Sequence, residues 1–179
     1  MTFPSSMRRN EFAVFRDVPT RWMDNDVYGH VNNVVYYSWF DTAVNGYLID
    51  ASGIDIRTLT AIGVVAETGC RYLRSVSFPQ CVQIGLAVEK LGRSSIIYRL
   101  GVFDAGNDDA AALGRFVHVY VDATTRSSVP VPEVIPAAAL SWAGCAAEAA
   151  VVQHRDAGMA CGCTVCGSGR WIAGGDVSA

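Results

Sequence analysis

Residues 34–49 form a long apolar stretch in which polar side chains recur at helical spacing. The polar positions follow the i, i+3, i+4, i+7 pattern of one helix face and are Ser38, Asp41, Thr42 and Asn45. The pattern predicts an α-helix with one narrow polar stripe, embedded in an apolar surface on its other sides. The segment from Asp50 to Gly53 is typical of a helix end.

Extended segments are predicted on both sides of this helix. Alternation of apolar and polar side chains with a period of two is clearest at 82–89, where one face would be dry and the other wet. Gly63 and Gly69 are expected bulge positions in the segment after the helix. The predicted strands are residues 11–19, 62–76, 82–89, 96–103 and 113–121.

The order of these elements is one strand, one long helix and then four strands, of which the last three form an antiparallel meander. A single antiparallel five-stranded sheet wrapped around the central helix satisfies this order. The predicted fold class is therefore α+β, with the hot-dog architecture. Such a sheet covers only part of the helix, and edge-to-edge pairing of two sheets in a dimer would hide an edge strand.

Composition narrows the possible partners. The 179-residue chain is 51% hydrophobic and only 17% charged, so we expect a homodimer or homotetramer that hides apolar surface. A net charge of -3 provides no basic footprint, which argues against nucleic acid as a partner. The sequence contains neither a membrane-span pattern nor a secretory leader pattern, so we expect no membrane association and a cytoplasmic location.

The length fits one domain, which we place at residues 1–135, followed by an Ala/Gly/Cys-rich extension at 136–179. The extension leaves room for one helix before a flexible tail. Free thiols are the default for all six cysteines in a reducing compartment. The four late cysteines could supply zinc ligands, but they lack the paired Cys-x-x-Cys spacing of a structural site, so no metal site is predicted.

Residues 21–33 concentrate the chemistry of the chain immediately before the helix. Two carboxylates, Asp24 and Asp26, precede His30 and an Asn-Asn pair at the helix start. The N–H groups of a first helical turn lack intrahelical partners and can hold developing negative charge. A carboxylate beside them can act as a nucleophile or a base.

The segment from Arg21 to Asn33, followed by Tyr36, resembles the signature of acyl-CoA thioesterases related to hydroxybenzoyl-CoA thioesterase. The resemblance extends over roughly residues 11–135. It implies a hot-dog fold, active sites at a dimer interface, and hydrolysis of an acyl thioester without a metal or organic cofactor. Further matches follow in the expected order at Arg71-Tyr72, Glu89 to Ser95, Val119 to Asp122 and Pro130 to Pro132.

The same resemblance implies that Asp26 is the catalytic carboxylate and that the backbone N–H of Asn33 polarises the thioester carbonyl. The leaving thiolate has a parent pKa of ~8.5, so its departure needs little help from a general acid. Asp26 would either attack the carbonyl, giving a mixed anhydride, or deprotonate water, and the sequence leaves both routes open.

Simpler roles compete for the neighbouring residues. Asp26 considered alone would be a helix N-cap, and Asp24 is predicted to be a structural hydrogen-bonding residue. His30, although grouped with the catalytic residues, is expected to support the loop rather than carry protons. Asn33 is expected to act through its backbone, so its side chain should be replaceable. Glu67 is a reserve carboxylate, with an exposed strand residue as the simpler interpretation.

Substrate contacts are predicted at two places. Tyr36 is a candidate for the acyl pocket, although an aromatic residue on a buried helix is usually part of the core. The turn at 93–95 is the strongest phosphate site because it matches the family pattern, although solvated arginines at turns are common. The candidates for coenzyme A binding are Arg71, Arg74, Arg93, Ser94 and Ser95.

One departure from the family pattern precedes the third strand, where Phe78-Pro79-Gln80-Cys81 replaces the usual Gly-Asp turn and puts nearby coenzyme contacts in doubt. The predicted function is acyl-CoA thioesterase, with medium or long acyl chains favoured over aromatic groups by the apolar helix. Two alternatives remain open: hydrolysis of a thioester delivered by an acyl carrier protein, and a non-catalytic module that binds acyl-CoA. The intact Asp26 argues against the second.

Overall fold

A five-stranded antiparallel sheet packs against one long helix in the computed structural model, which describes residues 3–135. The sheet order is β1-β3-β4-β5-β2, so β3, β4 and β5 form a meander and β1 and β2 are the edges. This confirms the predicted α+β hot-dog fold. The elements are α1 (Asn33–Ser52), β1 (Val14–Pro19), β2 (Ala61–Tyr72), β3 (Cys81–Leu91), β4 (Ser95–Asp104) and β5 (Ala112–Asp122).

Both ends of α1 follow from local chemistry. Asn32 is the N-cap, and its side chain accepts a hydrogen bond of 3.2 Å from the N–H of Val34. Gly53 ends the helix with a φ of 67°, and its N–H donates to the carbonyl of Ile49. Ser38, Asp41 and Thr42 of the predicted polar stripe are exposed, and Asn45 is half-buried. The opposite face is buried through Tyr36, Trp39, Phe40, Ala43, Val44 and Leu48.

Close approach of α1 to the sheet depends on Gly114 in β5. A Cβ atom at this position would lie 2.6 Å from Cζ of Phe40, which is fully buried. The predicted bulges at Gly63 and Gly69 are wrong, because the register of β2 against β5 shifts between Val65 and Glu67 instead. Gly63 makes room for a side chain of β5 rather than for a bulge.

Several predictions concern residues near or beyond the described range. Cys70 is a free thiol, as predicted, and burial raises its pKa to about 11. The extension at 136–179 and its four cysteines lie outside the described residues. Within residues 3–135, no helix is long and apolar enough to cross a membrane, and no three metal-ligating side chains cluster.

His118 in β5 is a buried histidine whose charge state is coupled to folding. It is 2% exposed, and burial lowers its pKa from 6.5 to about 4. Below pH 6.5 this histidine is protonated in the unfolded chain, whereas in the folded chain it stays neutral until about pH 4. The free energy of unfolding is therefore unaffected by this group above pH 6.5, and it decreases as the pH falls from 6.5 to about 4.

Because of this histidine, we expect the free energy of unfolding to fall by about 2 kcal/mol when the pH is lowered from 7 to 5. Urea unfolding of the native chain and of His118→Phe at both pH values measures the effect, because the difference between their pH dependences isolates this group. Equal pH dependences in the two chains would contradict the expectation.

Candidate functional site

An open cleft of about 510 Å³ lies between the loop that precedes α1 and the end of β2. Five residues predicted from the sequence come together there, namely Asp26, His30, Asn33, Tyr36 and Arg74. The cleft is completed by Val31, Tyr72, Leu73 and Ser75.

The carboxylate of Asp26 is positioned by the backbone of its own loop. Its Oδ1 accepts hydrogen bonds from the N–H of Tyr28 at 2.8 Å and the N–H of His30 at 3.2 Å. The N–H of Asp26 donates to the carbonyl of His30 at 2.7 Å, and Gly29 supplies the positive φ of 79° that closes the loop. His30 thus supports Asp26 through its backbone, while its side chain remains exposed at the cleft.

The start of α1 borders the same cleft. Asn33 is the first helical residue, so its N–H has no intrahelical acceptor. The capping side chain of Asn32 accepts from the N–H of Val34 and not from that of Asn33. The hydroxyl of Tyr72 donates to the carbonyl of Asn33 at 3.1 Å, which ties the end of β2 to the helix start. The cleft therefore combines a carboxylate with the positive end of a helix dipole.

Tyr36 is both a core residue and part of the cleft wall. It is buried, and its ring lies 5.0 Å from those of Trp39 and Tyr72. Burial raises the pKa of Tyr36 to about 12, so its hydroxyl stays protonated at neutral pH. Sequence reasoning presented core and pocket as alternatives, but the position serves both.

Asp24 holds the loop and does not line the cleft. Its side chain is 1% exposed and accepts from the N–H of Arg21 at 2.7 Å and from the guanidinium of Arg21 at 2.9 and 2.7 Å. The carbonyl of Asp24 accepts from the N–H of Asn32 at 2.8 Å. This is the predicted structural role, and a 3-10 turn at Trp22–Asp24 produces it.

Arg74 is fixed at the cleft by a buried carboxylate. Its guanidinium donates two hydrogen bonds, of 2.7 and 2.6 Å, to Asp104 at the end of β4. These bonds hold the pKa of Asp104 below its usual range, and the amide of Asn107 adds a hydrogen bond of 3.0 Å. The role of Asp104 could not be predicted from the sequence, because its partner Arg74 is distant along the chain.

The other predicted phosphate-binding residues lie elsewhere in this chain. Arg71 alternates with Tyr72 along β2, so its side chain points to the opposite face, where it donates to the carbonyls of Phe3 and Pro4. Ser95 pairs with Val119, which places the turn of Arg93, Ser94 and Ser95 at the end of the sheet opposite Tyr72.

Two further sequence features have structural explanations. Glu67 is exposed on edge strand β2, where it forms an ion pair with Arg115. The turn that departs from the family pattern supports the loop before Asp26, since the N–H of Phe78 donates to the side-chain oxygen of Asn25 at 3.0 Å. The ring of Phe78 also contacts that of Trp22, with centroids 5.9 Å apart.

Comparison with known proteins gives a consistent assignment. The model of the thioesterase-like superfamily matches residues 18–139. The structure of PA5185 from Pseudomonas aeruginosa strain PAO1 is 45% identical with a TM-score of 0.73, and the match covers 76% of this chain and 95% of that chain. A thioesterase from Thermus thermophilus, complexed with coenzyme A and Zn, is 31% identical with a TM-score of 0.62, over 73% of this chain and 93% of that one.

A curated relative is similar over a shorter range. The uncharacterised YsmA of Bacillus subtilis strain 168 is 29% identical over 90 residues, which are 49% of this chain and 59% of that protein. The chain thus spans less than two thirds of this curated relative. The family model covers α1, strands β2 to β5 and the Asp26 loop together. The chain therefore belongs to the thioesterase-like superfamily, with the hot-dog fold of its thioesterases.

Proposed function

We propose that the chain hydrolyses acyl-CoA thioesters, with Asp26 as nucleophile or general base and the N–H of Asn33 as the oxyanion donor. The observation that carries this proposal is the single cleft bordered by the loop-held carboxylate and the start of α1. The coenzyme A complex of the similar Thermus thermophilus thioesterase favours coenzyme A as the thiol carrier.

The reaction uses these groups in a simple order. The substrate carbonyl oxygen lies against the helix start, where a single oxyanion donor typically contributes ~3–4 kcal/mol to lowering the barrier. Asp26 attacks the carbonyl carbon and expels the coenzyme A thiolate, and water then hydrolyses the mixed anhydride. In the alternative route, Asp26 takes a proton from water, the resulting hydroxide attacks, and the same thiolate leaves.

The test is thiol release by the native chain from a panel of short, long and aromatic acyl-CoAs, with an acyl carrier protein thioester as a further substrate. Turnover of an acyl-CoA supports the proposal, and the best substrate identifies the acyl class. If only the carrier-protein thioester is hydrolysed, the acyl carrier protein, and not coenzyme A, is the carrier of the acyl group. Saturable acyl-CoA binding without thiol release would instead favour the non-catalytic binding module.

Substitution of the neighbouring residues Asn32 and Asn33 distinguishes a role of the backbone from a role of the side chain. We expect Asn33→Ala to keep kcat within about threefold of native, because the proposed donor is a backbone N–H. Asn32→Ala removes the helix cap and should lower the free energy of unfolding by ~1 kcal/mol. Thiol release and urea unfolding of both variants measure these effects. A loss of kcat confined to Asn33→Ala would assign a role to that side chain.

We further propose a homodimer in which β2 pairs with its copy. β2 is an edge strand with Val65 exposed at its centre, and the loop near the cleft presents Trp22, Val27 and Tyr28 at 80%, 94% and 81% exposure. Antiparallel pairing about a two-fold axis brings the end of β2 in one subunit near its start in the other. The partner's 93–95 turn would then approach the cleft.

Sedimentation should give twice the 19.2 kDa mass of the chain. Val65→Lys should shift this equilibrium toward the monomer, because it places a charge in the paired edge. Thr124→Lys, in the exposed turn after β5, is the control and should leave the mass unchanged. A native chain that sediments as a monomer would contradict the proposal.

A further inference from the structure

A second cavity lies beneath the C-terminal half of α1, at the end of the sheet opposite the Asp26 cleft. Its volume is about 190 Å³, and most of its lining is apolar. Leu48 of α1, Gly63 of β2, and His118 and Tyr120 of β5 contribute to its wall. The residues that line this cavity are different from those that line the Asp26 cleft.

The cavity wall contains a buried nitrogen without a partner. Nδ1 of His118 is fully buried and forms no hydrogen bond with the part of the chain that the structure describes. A Cβ atom at Gly63 would lie 3.2 Å from this nitrogen, so the glycine allows the imidazole to pack close to β2 at the cavity wall. Buried polar side-chain atoms are nearly always hydrogen-bonded, and this exception points to a ligand.

The chemistry of the cavity selects the kind of ligand. The imidazole is neutral at pH 7, and a neutral Nδ1 either donates or accepts one hydrogen bond. A hydroxyl group satisfies both cases because it can donate and accept. An apolar lining disfavours a charged group, and Arg57 at the rim is already held by Asp55 through bonds of 2.8 and 2.7 Å.

The size of the cavity limits the ligand further. Apolar protein cavities of about 150 Å³ are known to hold benzene. We propose that this cavity binds a neutral, mostly apolar group of about the size of one six-membered ring, whose hydroxyl forms a hydrogen bond with Nδ1 of His118. The group belongs either to a separate small molecule or to the acyl part of a substrate, since both can offer the same chemistry.

Phenol, toluene and benzoate are matched probes because they share a ring and differ in the polar group. Each is titrated into the full chain carrying ¹⁵N-labelled histidine, with the imidazole resonances as the readout. We expect phenol to shift the His118 resonances saturably and to bind about tenfold more tightly than toluene, with benzoate the weakest. Equal affinities for phenol and toluene, or His118 resonances that do not move, would overturn the proposal.

His118→Phe preserves a ring among Tyr98, Phe116 and Tyr120 but removes the nitrogen. It should bind phenol and toluene about equally, whereas persistence of the tenfold preference would exclude His118 as the partner. If this variant does not fold, the native titration still decides the proposal.

Addition of phenol to the acyl-CoA assay distinguishes the two sources of the ligand. Competitive inhibition assigns the cavity to the acyl group, and unchanged turnover assigns it to a separate molecule. The binding measurement does not require turnover, so a failure of the proposed thioesterase activity leaves this site open to its own test.

Discussion

Asp26→Asn is expected to lower kcat for thioester hydrolysis at least ~100-fold, as removal of a key catalytic group does. The substitution keeps the size of the side chain and Oδ1, which accepts the N–H groups of Tyr28 and His30. The loop should therefore keep its shape while the negative charge is lost. Thiol release under saturating acyl-CoA measures the effect, and circular dichroism checks the fold.

Asp41→Asn is the matched control, because Asp41 is an exposed carboxylate on the polar stripe of α1. Its kcat should remain within about threefold of native. If Asp26→Asn also remains within this range, Asp26 is neither nucleophile nor base. Glu67 would then be the next carboxylate to replace, despite its position on edge strand β2.

Arg74→Met is expected to lower the free energy of unfolding by about 3 kcal/mol, because it leaves the buried carboxylate of Asp104 without its cation. The side chain of Asp104 is 8% exposed and receives both guanidinium hydrogen bonds. Urea unfolding at pH 7 measures the loss. The loss should shrink as the pH falls, because Asp104 in the variant lacks the guanidinium that lowers its pKa in the native chain, so protonation removes the buried charge before the native carboxylate titrates.

The double variant Arg74→Met with Asp104→Asn separates this charge effect from simple loss of packing. It removes both charges and preserves an oxygen that can accept from Asn107. We expect it to be more stable than Arg74→Met alone, with a coupling between the two sites of about 1–3 kcal/mol. Additive losses would mean that Arg74 stabilises the chain mainly through contacts other than its ion pair with Asp104, such as the hydrogen bond to the carbonyl of Asp109.

The fold was largely predictable because its elements carry strong local patterns. The polar stripe of α1, its Gly53 end and the alternation in β3 all follow a fixed periodicity, and the order of the elements left few ways to bury the helix. The bulge in β2 was missed because it occurs between Val65 and Glu67, where no glycine marks it. Local composition does not determine where two strands lose register.

The contacts of the candidate site were predictable where they are local in sequence. Asp26, His30 and Asn33 were found because a single loop and the following helix start contain them. Tyr72 meets Asn33 only after β2 pairs with β5, and Arg74 meets Asp104 only after the end of β4 comes beside the segment that follows β2. These contacts depend on strand register, which the sequence pattern did not specify.

The loop that holds Asp26 suggests a route to altered substrate preference. Its hydrogen bonds to Oδ1 come from backbone N–H groups, so they do not depend on the side chains at positions 27, 28 and 30. Val27 and Tyr28 are also largely exposed. A combinatorial library at these two positions, with Gly29 kept for its positive φ, would vary the surroundings of the carboxylate without displacing it.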